Sequence, residues 1–341
     1  MISDERIWEI WLSQYDLPCL RAADRIGLFR ALERRPVEAE SLAEELGLNP
    51  RVSEAVLRLL TSLGLLAEES RVFRLTELAR NFLLSENDGY WGPALNIGPP
   101  SGKEEAILKA LREGTEAATG SPDEMGVPQP GESGLPVVLW AQGKVEPDRA
   151  AGIGKVMHSH SVGAAHYLAG LVSGDSRHVL DVGGGSGCFG IALCRRHPEV
   201  RCTVLELEGM CEVAQGYIDE AGLSDRIDTA VCNMFTENWP GHADTVLFSN
   251  VLHDWRESSC VLLLSRAFHY LPKGGEVWIH EMLTDHGGHC AAAFSLMMVL
   301  GTQGRQFSSK EMEQTLGETG FVDIRIEQAG SYHSLIRGIK P

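Results

Sequence analysis

No lysine occurs in the first ninety residues of this chain, and no C-x-x-C pair occurs among its eight cysteines. No apolar run reaches the ~18 residues that a membrane-spanning helix requires. Each absence removes a class. Without such a run, and with a start (MISDERIWEI) that lacks a secretory pattern, the chain is expected to be cytoplasmic, with no membrane partner. The scattered cysteines, five of them between Cys188 and Cys232, read as reduced thiols, not as a disulfide framework or a zinc site. The pairs His158/His160 and His286/His289 have no carboxylate–histidine cluster beside them, so no metal is expected. Positive charge is scarce. The net charge of −17 opposes nucleic acid or an anionic membrane as the main partner.

At 341 residues the chain suits two domains and leaves ample length for a large core. The most informative stretch is Val179-Leu180-Asp181-Val182-Gly183-Gly184-Gly185-Ser186-Gly187. An apolar run, a glycine cluster and a helix-like segment (Cys188 to Arg196) predict strand, tight turn and helix, the opening unit of a nucleotide-binding α/β domain. Glycine allows positive φ and lets a ligand approach the backbone. The acid Asp181 stands just before the turn, where it would repel a pyrophosphate, so a cationic or zwitterionic ligand suits the turn better. Further strands are predicted at Cys202 to Glu206, Ile227 to Cys232, Thr245 to Asn250 and Glu276 to His280. Glu206, Asn233, His253 and Glu281 fall at or just past their ends, where open α/β sheets bind ligands. Glu206 is placed to accept hydrogen bonds from two ribose hydroxyls; the plainer reading is a solvated acid or a helix cap.

The first ninety residues form a separate unit. Ser41 to Leu48 and Val52 to Leu66 predict two short helices, with Ser41 as an N-cap and Asn49-Pro50 as the break. Arg71 to Leu75 reads as a wing strand, which makes a winged-helix pattern and raises a DNA-binding regulator as an alternative. Eleven arginines stand against sixteen acids here, a net charge of −5, and the second helix offers only Arg51 and Arg58. Phosphate neutralisation needs more than this. Trp8, Trp11 and Tyr15 have no obvious intrachain partner and are expected to be buried against a second subunit. Thr119 to Pro136 is poor in apolar residues, a surface loop that is either a lid or disordered.

The motifs LDVGGGSG (Leu180 to Gly187), NMF (Asn233 to Phe235), SNVLHDW (Ser249 to Trp255), LPKGGEVWIHE (Leu271 to Glu281) and GFVDI (Gly320 to Ile324) occur in order. In them the chain resembles the class I S-adenosylmethionine-dependent small-molecule O-methyltransferases of the plant caffeate and bacterial polyketide or phenazine type. The resemblance covers nearly the whole chain. It implies an α/β, Rossmann-like, seven-stranded methyltransferase sheet, with a mainly helical N-terminal winged-helix domain that serves homodimerisation. The implied division is 1–90 for dimerisation, 91–165 for a helical linker and substrate-pocket region, and 166–341 for cofactor binding.

The same resemblance implies roles residue by residue. His253 is the general base that takes the acceptor's proton, and Glu281 orients it. Asp181, Gly183, Gly185 and Gly187 hold the amino-acid part of S-adenosylmethionine, and Glu206 holds the ribose. Asn233 and Met234 meet the adenine, and Trp255 covers it or is plain core. Ser249 stands where plant members carry Lys. Met157 and His160 point toward the acceptor, with Met297 and Met298 on the opposite wall. One departure is visible: Gln306 and Phe307 stand where the family has Glu-Arg, so a charge that would raise imidazole basicity is missing. The expected reaction is therefore methyl transfer to a hydroxyl of an aromatic or polyketide-like small molecule, leaving S-adenosylhomocysteine. Transfer to nitrogen or carbon, and a diverged S-adenosylmethionine-binding hydroxylase or decarboxylase, remain open.

Overall fold

A computed structural model describes residues 3–115, 126–129, 135–173 and 175–341. Most of the Thr119 to Pro136 loop lies outside the described residues. The chain divides into two compact units: Glu5–Thr119 with Gly288–Arg305, and Gly120–Gly287 with Gln306–Pro341 and Met1–Asp4.

The first unit is mainly helical. Helices α1 (Glu5–Leu12), α2 (Asp16–Arg25), α3 (Leu28–Arg34), α4 (Ala39–Leu46), α5 (Pro50–Ser62), α6 (Glu77–Phe82), α7 (Gly92–Leu95) and α8 (Gly102–Glu113) surround a small sheet. That sheet has the order β1-β3-β2, from strands β1 (Val37–Glu38), β2 (Leu66–Glu69) and β3 (Val72–Leu75). Asn49 caps α5 by accepting from the Val52 N–H, and Pro50 follows at the first turn, where its missing N–H costs nothing. Ser41, expected as the N-cap of α4, lies inside that helix; Glu38 stands at the cap and Gly47 ends the helix in the left-handed region. The acid-rich first turn hid the true start one turn earlier.

Helix α14 (Gly288–Gly301) belongs to this unit. It is apolar on every side (GHCAAAFSLMMVLG), so it needs partners all round, and it packs on α5 and α1. The Arg51 guanidinium donates to the carbonyls of Val299, Thr302 and Gly304, capping the end of α14. Arg58 pairs with Glu54 and Glu68. Both arginines of α5, the helix that a DNA-binding reading would use, are therefore engaged inside the unit. Trp8 corrects an expectation: it is only 6% exposed within its own chain, its ring 5.9 Å from that of Phe294 on α14. The partner sits far away in sequence, so no local signal announced it. Exposure falls instead on Ile7 (68%), Ile10 (58%) and Trp11 (39%).

The second unit carries a seven-stranded sheet of order β6-β5-β4-β7-β8-β10-β9. Its strands are β4 (His178–Val182), β5 (Arg201–Glu206), β6 (Ile227–Val231), β7 (Thr245–Ser249), β8 (Glu276–Glu281), β9 (Val322–Gln328) and β10 (Ser334–Ile339). Strands β4 to β8 pair in parallel, and β10 runs antiparallel between β8 and β9. Side chains alternate between two hydrophobic layers. Val179, Val204, Leu247 and Trp278 join the layer under α10 (Pro147–Leu171), α11 (Cys188–Arg196) and α12 (Glu208–Ala221). Leu180, Leu205, Val246, Val277 and Ile279 join the layer under α9 (Leu135–Gln142), α13 (Glu257–Tyr270) and α15 (Ser309–Glu318). This period of two explains why the strands read as continuous apolar runs: both faces are covered. Strand order reverses beside β4, so the turn after β4 opens into the crevice where such sheets take ligands.

Candidate active site

The turn after β4 is built by its glycines. Gly183, Gly185 and Gly187 have φ of 69°, 57° and 73°. Gly184 has a different reason: a Cβ there would lie 2.6 Å from the Asp181 Oδ2. Asp181 itself is 1% exposed, and among the described residues neither of its carboxylate oxygens has a hydrogen-bond partner. Burial and the nearby Glu206 charge push it up to about 7. Glu206, at the end of β5, accepts from the N–H groups of Leu207 (2.8 Å) and Gly185 (3.2 Å). Burial pushes it up to about 7 as well, against those two bonds. Two desolvated acids thus converge on one glycine turn with unsatisfied acceptor capacity. That is a site asking for positive charge and donors.

The segment after β6 departs from expectation in detail. The Asn233 side-chain carbonyl, expected to stand open for an adenine amine, already accepts from the Phe235 N–H (3.0 Å), while its amide donates to the Trp140 carbonyl (2.8 Å). Asn233 is a local turn-former that ties α9 to this loop. Met234 is fully buried in the α13-side layer, and so is Trp255, whose ring meets Phe235 edge-on at 4.7 Å. Among the described residues, the buried Trp255 indole N–H has no hydrogen-bond partner.

A histidine–carboxylate pair sits across the β7 and β8 ends. The chain leaves β7 through Asn250, which is in the left-handed region (φ 53°), and enters a 3-10 turn at Leu252–Asp254. This turn points its first N–H groups at one carboxylate. Glu281 Oε1 accepts from Val251 (3.0 Å), Leu252 (3.0 Å) and His253 (3.4 Å). Its Oε2 lies 2.7 Å from His253 Nδ1. Both residues are buried. Burial lowers the His253 imidazole, but the charge and hydrogen bond of Glu281, with Asp254 adding, raise it to about 9. Nδ1 is taken by Glu281, and Nε2 lies 4.0 Å from Asp254 Oδ1.

Residue alternation along β8 sends the neighbouring His280 to the other face. There its ring stacks on His333 (4.6 Å, 6° between planes), and Nδ1 meets the Ser249 hydroxyl at 3.0 Å. Burial pushes His280 down to about 3, so it stays neutral. Ser249 is therefore a partner of His280. On α10, His160 is half-buried and its Nδ1 meets the Ser161 hydroxyl, while Met157 is exposed. Burial and the His253 charge lower the His160 pKa. Met297 and Met298 lie half-buried on α14, in the other unit.

Gln306 is buried, and its neighbours explain the altered segment. Phe307, in the place of the family Arg, belongs to the α13-side layer, and its carbonyl accepts from Thr284 N–H. Ser308 caps α15 in a reciprocal capping box with Glu311. Sequence reasoning missed His280, His333, Asn250 and Ser186. His280 carried one signal, its place beside Glu281 in WIHE.

An O-methyltransferase domain model matches residues 133–322, and an O-methyltransferase dimerisation domain model matches residues 8–85. The chain is 31% identical over 341 residues to the 3-hydroxy-5-methyl-1-naphthoate 3-O-methyltransferase of Streptomyces sahachiroi, covering 97% of this chain and 92% of that one. Among solved structures it is similar to an O-methyltransferase family 2 protein of Planctomyces limnophilus in complex with apigenin (TM-score 0.85, 23% identity, covering 100% and 97% of the two chains). It is also similar in fold to NcsB1, an O-methyltransferase from neocarzinostatin biosynthesis, in complex with S-adenosylmethionine and 2-hydroxy-5-methyl naphthoic acid (TM-score 0.54, 23% identity, covering 96% of each). The two domain matches and the full-length relative lead to one conclusion: the chain belongs to the S-adenosylmethionine-dependent O-methyltransferase family.

Proposed function

We propose that the chain methylates a hydroxyl of an aromatic, polyketide-type small molecule, with His253 as general base and Glu281 as its orienting partner. The observation that carries this reading is the His253–Glu281 pair, its carboxylate held by three backbone N–H groups at the ligand end of the sheet. The acceptor class is drawn from the naphthoate substrate named for the full-length relative.

The residues fit S-adenosylmethionine. The two unbonded oxygens of Asp181 suit its positive methionyl end, and the buried Glu206 carboxylate suits two ribose hydroxyls. When bound, it supplies a methyl group on a sulfonium, which departs as a neutral thioether. Gly183, Gly185 and Gly187 would hold the amino-acid part, with Met234 and Trp255 on the adenine side. At the acceptor, His253 Nε2 would take the hydroxyl proton, leaving the oxygen lone pair for the methyl group that S-adenosylmethionine would supply. Glu281 fixes the tautomer that carries its proton on Nδ1 and stabilises the imidazolium that forms. His160, Met157 and Gln306 are assigned to acceptor binding.

In this reading residues 1–90 serve dimerisation, 91–165 link and line the pocket, 166–341 bind the cofactor, and the homodimer works in the cytoplasm. The dimerisation-domain match and the exposed Ile7, Ile10 and Trp11 support the homodimer. The eight cysteines, each a buried thiol, support the compartment. No described helix is long and apolar enough to cross a membrane.

The test is product analysis. Wild-type enzyme, S-adenosylmethionine and a panel of hydroxylated naphthoates and polyketide phenols should yield an O-methyl product by mass spectrometry and NMR. A C-methyl or N-methyl product, or none across the panel, overturns the reading.

A further inference from the structure

We propose that His158 is a positioning residue for the cofactor turn, acting by fixing the Ser186 hydroxyl and tying the turn to α12. His158 lies on α10 with Nδ1 2.9 Å from the Ser186 Oγ. Ser186 is buried between Gly185 and Gly187, inside the turn that follows β4. Nδ1 bonds at the edge of the imidazole, and a face of the same ring stacks on Tyr217 of α12, with centroids 3.9 Å apart and planes within 6°. One helical turn earlier the same two helices touch again: a Cβ on Gly154 would lie 2.4 Å from Val213 Cγ1. Gly154 and His158 are four apart on α10, as are Val213 and Tyr217 on α12, so one face of each helix meets the other in register. Strand β5 runs into α12 directly after Glu206, so His158 links the glycine turn to the helix behind the second buried acid.

Three glycines in the left-handed region leave this turn with much freedom to lose when a ligand orders it. A side-chain bond at Ser186 removes part of that freedom before the ligand arrives, which raises affinity without a contact from His158 to the ligand. The inference rests on the cofactor lying at this turn.

Calorimetry with S-adenosylhomocysteine tests both ideas separately, on the full chain. His158→Phe keeps a ring on Tyr217 but loses the bond, and Ser186→Ala loses the same bond from the other side. Each should raise the Kd about threefold to tenfold, the worth of one hydrogen bond. The double variant should be no weaker than either single one, and His158→Gln, with a polar tip, should recover most of the affinity. Steady-state kinetics should show a higher KM for S-adenosylmethionine with kcat near wild type. A purely structural role would instead lower the unfolding temperature and leave the Kd alone. The proposal is overturned by a His158→Phe Kd within twofold of wild type, or by effects that multiply in the double variant. If His158→Phe fails to fold, an unchanged Kd in Ser186→Ala overturns it equally. If wild type does not bind S-adenosylhomocysteine, the cofactor reading falls first and takes this one with it.

Discussion

Against burial, Glu281 dominates the basicity of His253, with Asp254 adding. Sequence comparison pointed to a missing charge at Gln306, but Glu281 alone stands at 2.7 Å from the ring and, despite burial, the imidazole lies at about 9. The sign for catalysis follows. A base must be neutral to accept a proton, so kcat/KM for a neutral phenol should rise with pH until about 9. Glu281→Gln removes the stabilising charge, lowers the imidazole pKa and should move that rising limb to lower pH; Gln306→Glu should move it higher. A pH–rate profile that ignores both changes contradicts the assignment.

Asp181 gives a second sign. Its folded pKa of about 7 lies above the ordinary value of about 3.9, so ionisation opposes folding. Stability present below that ordinary value is lost as pH rises through about 7. Asp181→Asn should therefore stabilise the ligand-free chain at pH about 8 yet weaken S-adenosylhomocysteine roughly tenfold or more, the worth of a charge-assisted bond. Thermal unfolding and calorimetry read the two effects. Asp181 and Glu281 were legible in the sequence because each closes an apolar run. The commitment of the Asn233 carbonyl to Phe235 was not, because a side chain's choice between a ligand and its own backbone leaves no periodic trace.

At the scale of elements, strands β4, β5, β7 and β8 were readable to within a residue or two, since each is a short apolar run bounded by Gly, Pro or acids. Helix α11 begins and ends where the sequence placed it, at Cys188 and Arg196. The allegiance of α14 was not readable. An all-apolar helix announces that it is buried, and nothing in it says against what. Three-dimensional contact assigns it to the N-terminal unit, where Arg51 donates to three of its C-terminal or following carbonyls. Arg51→Ala should cost about 2–4 kcal/mol, since several charged hydrogen bonds are lost together. Lysine should recover little, because an ammonium cannot reproduce the guanidinium fork. Denaturant midpoints check this; a loss within about 0.5 kcal/mol, the range of ordinary surface substitutions, contradicts the capping role.

At the scale of the molecule, the chain is strongly acidic and its α5 arginines are engaged in capping and ion pairs. What remains is a sheet whose ligand end gathers two desolvated acids on one side of the β4 turn and a carboxylate-held imidazole on the other. The account makes His253 the base that takes the acceptor's proton. The direct test is His253→Ala, assayed with the acceptor that wild type converts. It should lower kcat by about 10²–10⁴-fold while leaving the Kd for S-adenosylhomocysteine nearly unchanged. Wild-type turnover in that variant would contradict the central claim and leave catalysis to proximity alone.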